Sequence, residues 1–185
     1  MTRLNLEHII RAAGTIADDP DIIVVGSQSV LGQFPDARSE LLVSVEADVY
    51  PKNRPDRSDL IDGSIGEGSP FQTAFGYYAH GVDSSTSILP TGWEERLILV
   101  SGENTRHIRG WCLEVHDLAI AKLVAGRPKD LDFLRHLIDG GYVDAATLWS
   151  RLTGLVLDEK PGAIIHGRLS RLLSRPISNP HDTSA

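Results

Sequence analysis

Glu46 and Asp48 stand two residues apart in the run Val43 to Val49, where Val43, Val45, Ala47 and Val49 occupy the alternate positions. On a strand, residues i and i+2 project from one face, so this spacing sets two carboxylates side by side above an apolar opposite face. Two crowded carboxylates repel unless a cation lies between them. Oxygen donors of this kind suit Mg²⁺, which keeps open positions for water and phosphate oxygens. A solvated acidic face is the plain alternative. Upstream, the apolar run Ile22 to Val25 ends in Gly26-Ser27. A strand, a Gly-Ser corner and a helix start can aim backbone N–H groups and a hydroxyl at phosphate. The competing reading is a turn with Ser27 as a helix N-cap. The run GSQSVLG lacks the Lys-Ser/Thr of a Walker A loop and fits neither G-x-G-x-x-G nor G-x-S-x-G.

These residues need elements to hold them. Leu6, Ile9, Ile10, Ala13, Ile16 and Ala17 recur at helical spacing, predicting a helix over 5–18 that Asp19-Pro20 ends. Ile22 to Val25 predicts a central strand, and a strand through Val43, Val45, Ala47 and Val49 follows. Glycines and prolines over 51–75 predict a loop with one short helix near 57–63. Further strands are expected at Gly76 to Val82, Arg96 to Val100 and Trp111 to Val115. Then the pattern turns helical: 116–125, a helix from Pro128 to Ile138 with Leu131, Leu134 and Ile138 facing inward, 145–154 capped by Asp144, and Pro161 to about Ser174. Strands first and helices second predict an α+β fold. The expected division is an α/β core over 1–115, a C-terminal helical part over 116–175 packed on it, and a flexible tail over 176–185.

A Gly-Ser turn, a variable loop and then a strand with acid-x-acid resembles the active-site layout of polymerase-β-like nucleotidyltransferases, and among them the AbiEii/AbiGii-type toxin family. The resemblance runs from about Ile22 to Ile138. Its second block is LEVHDLAIAKLVAGRPKDLDFLRHL, residues 113–137, similar to the family's strand, then a helix with Lys, then Arg, Lys-Asp and Asp. The matching positions are Gly26, Ser27, Glu46, Asp48, Lys122, Arg127, Lys129, Asp130 and Asp132. The chain departs from the family pattern with Glu46 where Asp is usual and Leu42 where an Arg is often found.

The resemblance implies a nucleotidyltransferase-fold mixed β-sheet flanked by helices, with a C-terminal helical bundle. It implies transfer of a nucleoside monophosphate from an NTP to a hydroxyl of RNA, such as tRNA, or of a protein, and a toxin with a cognate antitoxin as partner. Mg²⁺ would be the cofactor. Glu46, Asp48, Lys122 and Asp130 are the expected catalytic residues. Gly26, Ser27, Lys122, Arg127 and Lys129 are expected on the nucleotide. Glu46 and Asp48 are expected on the metal, with Glu114 as a third carboxylate from its strand position and Asp117 as a lesser candidate. The two departures are the support for the alternative, a catalytically degenerate module that acts through a partner protein.

The rest of the chain bounds this reading. Lys122 shares a helix face with Leu118, Ala121 and Ala125, an apolar setting for an ammonium group that either points to phosphates or snorkels to water. Neither His80, His107 and His116 nor the single Cys112 shows a Cys/His zinc spacing. A net charge of −7 in 185 residues argues against a generally basic nucleic-acid coat. The start of the chain lacks the apolar run of a signal peptide, and no stretch approaches the roughly 20 apolar residues of a membrane helix, so a cytoplasmic protein is expected.

Overall fold

Helix α1 (Arg3–Ala17) begins at a reciprocal cap: Thr2 accepts from the Asn5 backbone N–H, and the Asn5 side chain accepts from that of Thr2. Its stripe of Leu6, Ile9, Ile10, Ala13 and Ala17 is fully buried, and Asp18 in the left-handed region ends it. The structure, a computed structural model, describes residues 1–155 and 159–174; the expected tail over 176–185 lies outside them.

Strands β1 (Asp21–Val24), β2 (Glu46–Pro51), β3 (Tyr78–Gly81), β4 (Ile98–Val100) and β5 (Arg109–Cys112) form one mixed sheet in the order β3-β2-β1-β5-β4. β1 runs antiparallel to β2 and parallel to β5; β2 runs parallel to β3, and β4 antiparallel to β5. The central β1 is buried along its whole length, as its uninterrupted apolar run requires. After β1, a single 3₁₀ turn (Ser27–Ser29) leads into the short α2 (Val30–Gln33).

Helices α3 (Ser58–Ile65) and α4 (Pro70–Phe75) lie between β2 and β3. α4 falls within the expected loop. Ser69 caps it by accepting from the Gln72 N–H, and Pro70 takes the first position, where a missing N–H costs nothing. The C-terminal helices are α5 (Val115–Ala125), α6 (Pro128–Asp139), α7 (Ala145–Thr153) and α8 (Glu159–Leu173). Gly126 (φ 62°) ends α5 in the left-handed region that glycine tolerates, and Pro128 starts α6 two residues later. α6 turns Leu134 and Leu137 into the core, with Leu131 and Ile138 only partly buried.

All five strands are shifted or shortened by a few residues from the expected ranges, and two of these differences bear on the site. β2 starts at Glu46; Val43 and Val45, 78% and 46% exposed, precede it in irregular chain, where the Val45 carbonyl still accepts from the Tyr78 N–H of β3 at 3.0 Å. β5 ends at Cys112, so Glu114 is no strand residue but the N-cap of α5.

Candidate functional site

β2 presents Glu46 and Asp48 from one face, while Ala47 and Val49 are fully buried on the other. β3 lies parallel beside it in a register that sets Tyr78 opposite Glu46 and His80 opposite Asp48. The Tyr78 hydroxyl donates to Glu46 Oε2 at 3.1 Å. His80 Nδ1 lies 3.2 Å from Glu46 Oε1 and 3.4 Å from Asp48 Oδ1. From the other side the Val25 N–H donates to the Asp48 carbonyl at 3.0 Å, which brings Gly26 directly over the Asp48 side chain. A Cβ on Gly26 would collide with that carboxylate. Gly26 is therefore glycine because the acid next to it needs the space.

Ser27 follows in the 3₁₀ turn. Gly26, not Ser27, holds the cap position, and among the described residues the Ser27 hydroxyl makes no hydrogen bond, so the N-cap reading falls away. Its side chain lines a cleft of about 600 Å³ together with Glu46, Asp48, His80, Lys122, Arg127, Lys129, Asp130 and Asp132. An adjoining lobe of about 310 Å³ shares Asp48, Lys122 and Arg127 and is lined by Gly26.

The cationic wall comes from the α5–α6 hairpin. Lys122 on α5 does not snorkel: its side chain is 14% exposed, its Nζ lies 3.2 Å from Asp130 Oδ1 and 5.7 Å from the centre of the Phe133 ring. Arg127, at the start of α6, holds the same carboxylate through Nε at 2.5 Å and Nη2 at 3.2 Å. Asp130, itself buried, thus ties together two cations that face the cleft. Burial works to raise its pKa, but the hydrogen bond from Arg127 and the charge of Lys122 outweigh that, and it is held below the usual carboxylate range. Asp132 is exposed and pairs with Arg135 at 2.6 Å.

The acidic pair behaves as one unit. Burial, then the hydrogen bond to Glu46 and the Glu46 charge, push Asp48 up to about 6, against the pull of Lys122 and His80. Burial acts on Glu46 too, but hydrogen bonds with Asp48 and Tyr78 and the proximity of His80 hold it down. Below about pH 6 one proton is retained on this pair, as crowding of like charges in a partly dry site favours. Two carboxylate oxygens and an imidazole nitrogen within 4.8 Å of one another form a donor set that fits a divalent cation.

Every nucleotide-side residue expected from the sequence, and every expected catalytic one, therefore lines this cleft or its lobe. Glu114 does not. Its side chain accepts from the His116 N–H at 3.0 Å and pairs with His116 Nδ1 at 2.8 Å. Asp117 on α5 is fully buried under Arg96 (2.7 Å), from the 3₁₀ turn Trp93–Arg96, and Arg151 of α7 (3.3 Å), and does not line the cleft of the carboxylate pair. His80 and Tyr78 were not among the expected site residues. Their signal was the same i, i+2 spacing as Glu46 and Asp48, on a strand whose neighbour the sequence does not reveal.

A family model described as a nucleotidyltransferase of unknown function (DUF6036) matches residues 4–161. The chain belongs to this nucleotidyltransferase family. The matched span takes in both the acid-bearing strand and the α5–α6 hairpin of the nucleotidyltransferase-like cleft. No curated protein and no solved structure matches the chain. Among the described residues, no helix is long and apolar enough to cross a membrane.

Proposed function

We propose that the protein is a Mg²⁺-dependent nucleotidyltransferase that moves a nucleoside monophosphate from an NTP to a hydroxyl of RNA or of a protein, as the toxin of a toxin–antitoxin pair. The observation that carries the chemistry is the facing of two walls across one cleft: Glu46 and Asp48 on one side, Lys122 and Arg127 on the other, with Ser27 at the corner. The acidic wall holds a cation and the cationic wall holds phosphates, as a metal–triphosphate complex requires.

In this reading the acceptor hydroxyl loses its proton to solvent as its oxygen bonds to the α-phosphorus, the bond from that phosphorus to the bridging oxygen breaks, and pyrophosphate leaves. A divalent cation, when bound, neutralises charge that develops on the phosphates and helps activate the attacking hydroxyl. Glu46 and Asp48 hold it, and Tyr78 orients Glu46. Ser27 offers its free hydroxyl to a phosphate oxygen. Lys122 and Arg127 bind the β- and γ-phosphates and stabilise the leaving pyrophosphate. Asp130 keeps both arms in place and Lys129 adds positive potential at the rim. Gly26 leaves the corner open.

The test is a titration of ATP, CTP, GTP and UTP with and without Mg²⁺, on the native chain and on Asp48→Ala. Metal-dependent binding of at least one nucleotide, lost in the variant, is the expected result. Binding that ignores both the metal and Asp48 refutes the site. The toxin role is tested by expression with and without the neighbouring gene: growth arrest relieved by that partner supports it, and growth unaffected by either rejects it.

A further inference from the structure

His80 is the member of the acid cluster that the proposed reaction leaves without a role. Its place is set by backbone pairing: parallel β2 and β3 put His80 opposite Asp48. Its Nδ1 lies 3.2 Å from one oxygen of Glu46 and 3.4 Å from one oxygen of Asp48. In octahedral coordination with bonds of about 2.2 Å, neighbouring donors stand about 3.1 Å apart. Both separations are near that value, so a cation can enter with little movement of the three side chains. Tyr78 supports the arrangement by occupying the other Glu46 oxygen, Oε2, at 3.1 Å, which leaves Oε1 facing the imidazole. Such a partner fixes the orientation of a ligating carboxylate.

We propose that His80 is the third protein ligand of the cation held by Glu46 and Asp48, and that its imidazole biases the site toward a first-row transition ion such as Mn²⁺ over Mg²⁺. The inference rests on the metal-binding reading of the carboxylate pair. Mg²⁺ favours all-oxygen shells and parts reluctantly with water, whereas imidazole nitrogen raises affinity for transition ions. A site built from Glu, Asp and His therefore discriminates by ligand type. Mg²⁺ would still support the reaction at higher concentration.

The test uses the full chain and Mn²⁺ alone, without nucleotide. Binding is followed by loss of the free-ion paramagnetic resonance signal, and coordination by nitrogen-14 modulation of the bound-ion echo. The native protein is expected to show nitrogen coupling and to require a large excess of Mg²⁺ to release Mn²⁺. His80→Ala should lose the coupling and at least about tenfold in Mn²⁺ affinity, since even indirect partners of a metal ligand are worth that much. His80→Asp, which restores an oxygen donor, should keep a bound ion but narrow the Mn²⁺ preference. Native protein that binds Mn²⁺ without nitrogen coupling, or His80→Ala with unchanged affinity, overturns the inference while leaving the carboxylate site standing, with His80 reduced to a hydrogen-bond partner. Asp48→Ala that binds Mn²⁺ as the native chain does would overturn the carboxylate site and the inference with it.

Discussion

Replacing Asp48 by Asn isolates the strain that the acid pair places on the cation-free protein. Asp48 moves from an ordinary value of 3.8 to about 6 on folding, because burial and the Glu46 charge disfavour its ionised form. A folded-state pKa above the unfolded one means that the folded chain binds the extra proton. Stability from this group is full below about pH 4 and is lost as pH rises through about 6. A shift of about two units, at about 1.4 kcal/mol each, corresponds to about 3 kcal/mol. The Asp48 side chain is still 28% exposed, and the lowered Glu46 returns part of the cost, so about 2 kcal/mol is the working figure. Asn keeps the shape and never ionises. Asp48→Asn should therefore match the native chain near pH 4 and exceed it by about 2 kcal/mol near pH 7.5, which for a chain of this size is about 4–8 °C in Tm. Thermal melts of both proteins over that pH range, in chelator, read the difference directly. A divalent cation should close the gap near pH 7.5 by stabilising only the native protein. A difference that is flat with pH, or native protein more stable than the variant near pH 7.5, would refute the assignment of the shared proton to Asp48.

Gly26→Ala should cost about 1–3 kcal/mol, because its methyl group overlaps the Asp48 carboxylate; in an Asp48→Ala background the cost should shrink by about 1 kcal/mol, as a denaturant double-mutant cycle would show. Ser27→Ala should change stability by no more than about 0.5 kcal/mol, since no cap bond is lost, yet calorimetry should find weaker triphosphate binding. Lys122→Met should reduce triphosphate affinity by about tenfold or more while affecting a monophosphate less, the loss of a charge-assisted contact to the terminal phosphates. Equal losses for both nucleotides would place Lys122 on the α-phosphate instead.

Periodicity made the framework legible and pairing supplied what it lacked. The buried run at Ile22 to Val25 and the alternation at Glu46 and Asp48 are local signals: β1 stands within one residue of the first, and β2 takes in the part of the second that carries the two acids. The α5–α6 break was readable because Gly126 and Pro128 each impose a backbone geometry. Glu114 was misplaced because Leu113 and Val115 are both fully buried, one after the strand and one inside the helix, so the apolar run hides the boundary. Val43 and Val45 extend the alternation beyond the Glu46–Tyr78 pair where the β2–β3 register begins, and only the Val45 carbonyl is still bonded from β3. α4 was missed because Gly66, Gly68 and Gly76 around it outweighed the Ser69-Pro70 start signal. His80 was out of reach for a different reason: its meaning depends on β3 lying beside β2, and register is a property of two segments together.

The strand order carries a consequence for the growing chain. β1 acquires β2 as a neighbour soon after synthesis, but its other edge, built of Asp21, Ile22, Ile23 and Val24, waits for β5, whose residues begin at Arg109. At roughly 5–20 residues per second that edge stays bare for on the order of ten seconds on the ribosome. An uncovered apolar strand edge is a template for pairing with another chain. The exposure ends only as β5 emerges, and α5, which carries Lys122, is the next element made. The acid pair is thus assembled first and meets its cationic wall last. A translational pause between β3 and β5 would lengthen the interval in which nascent chains can pair with each other, whereas a pause once α6 has emerged would fall when β5 is already available to cover that edge.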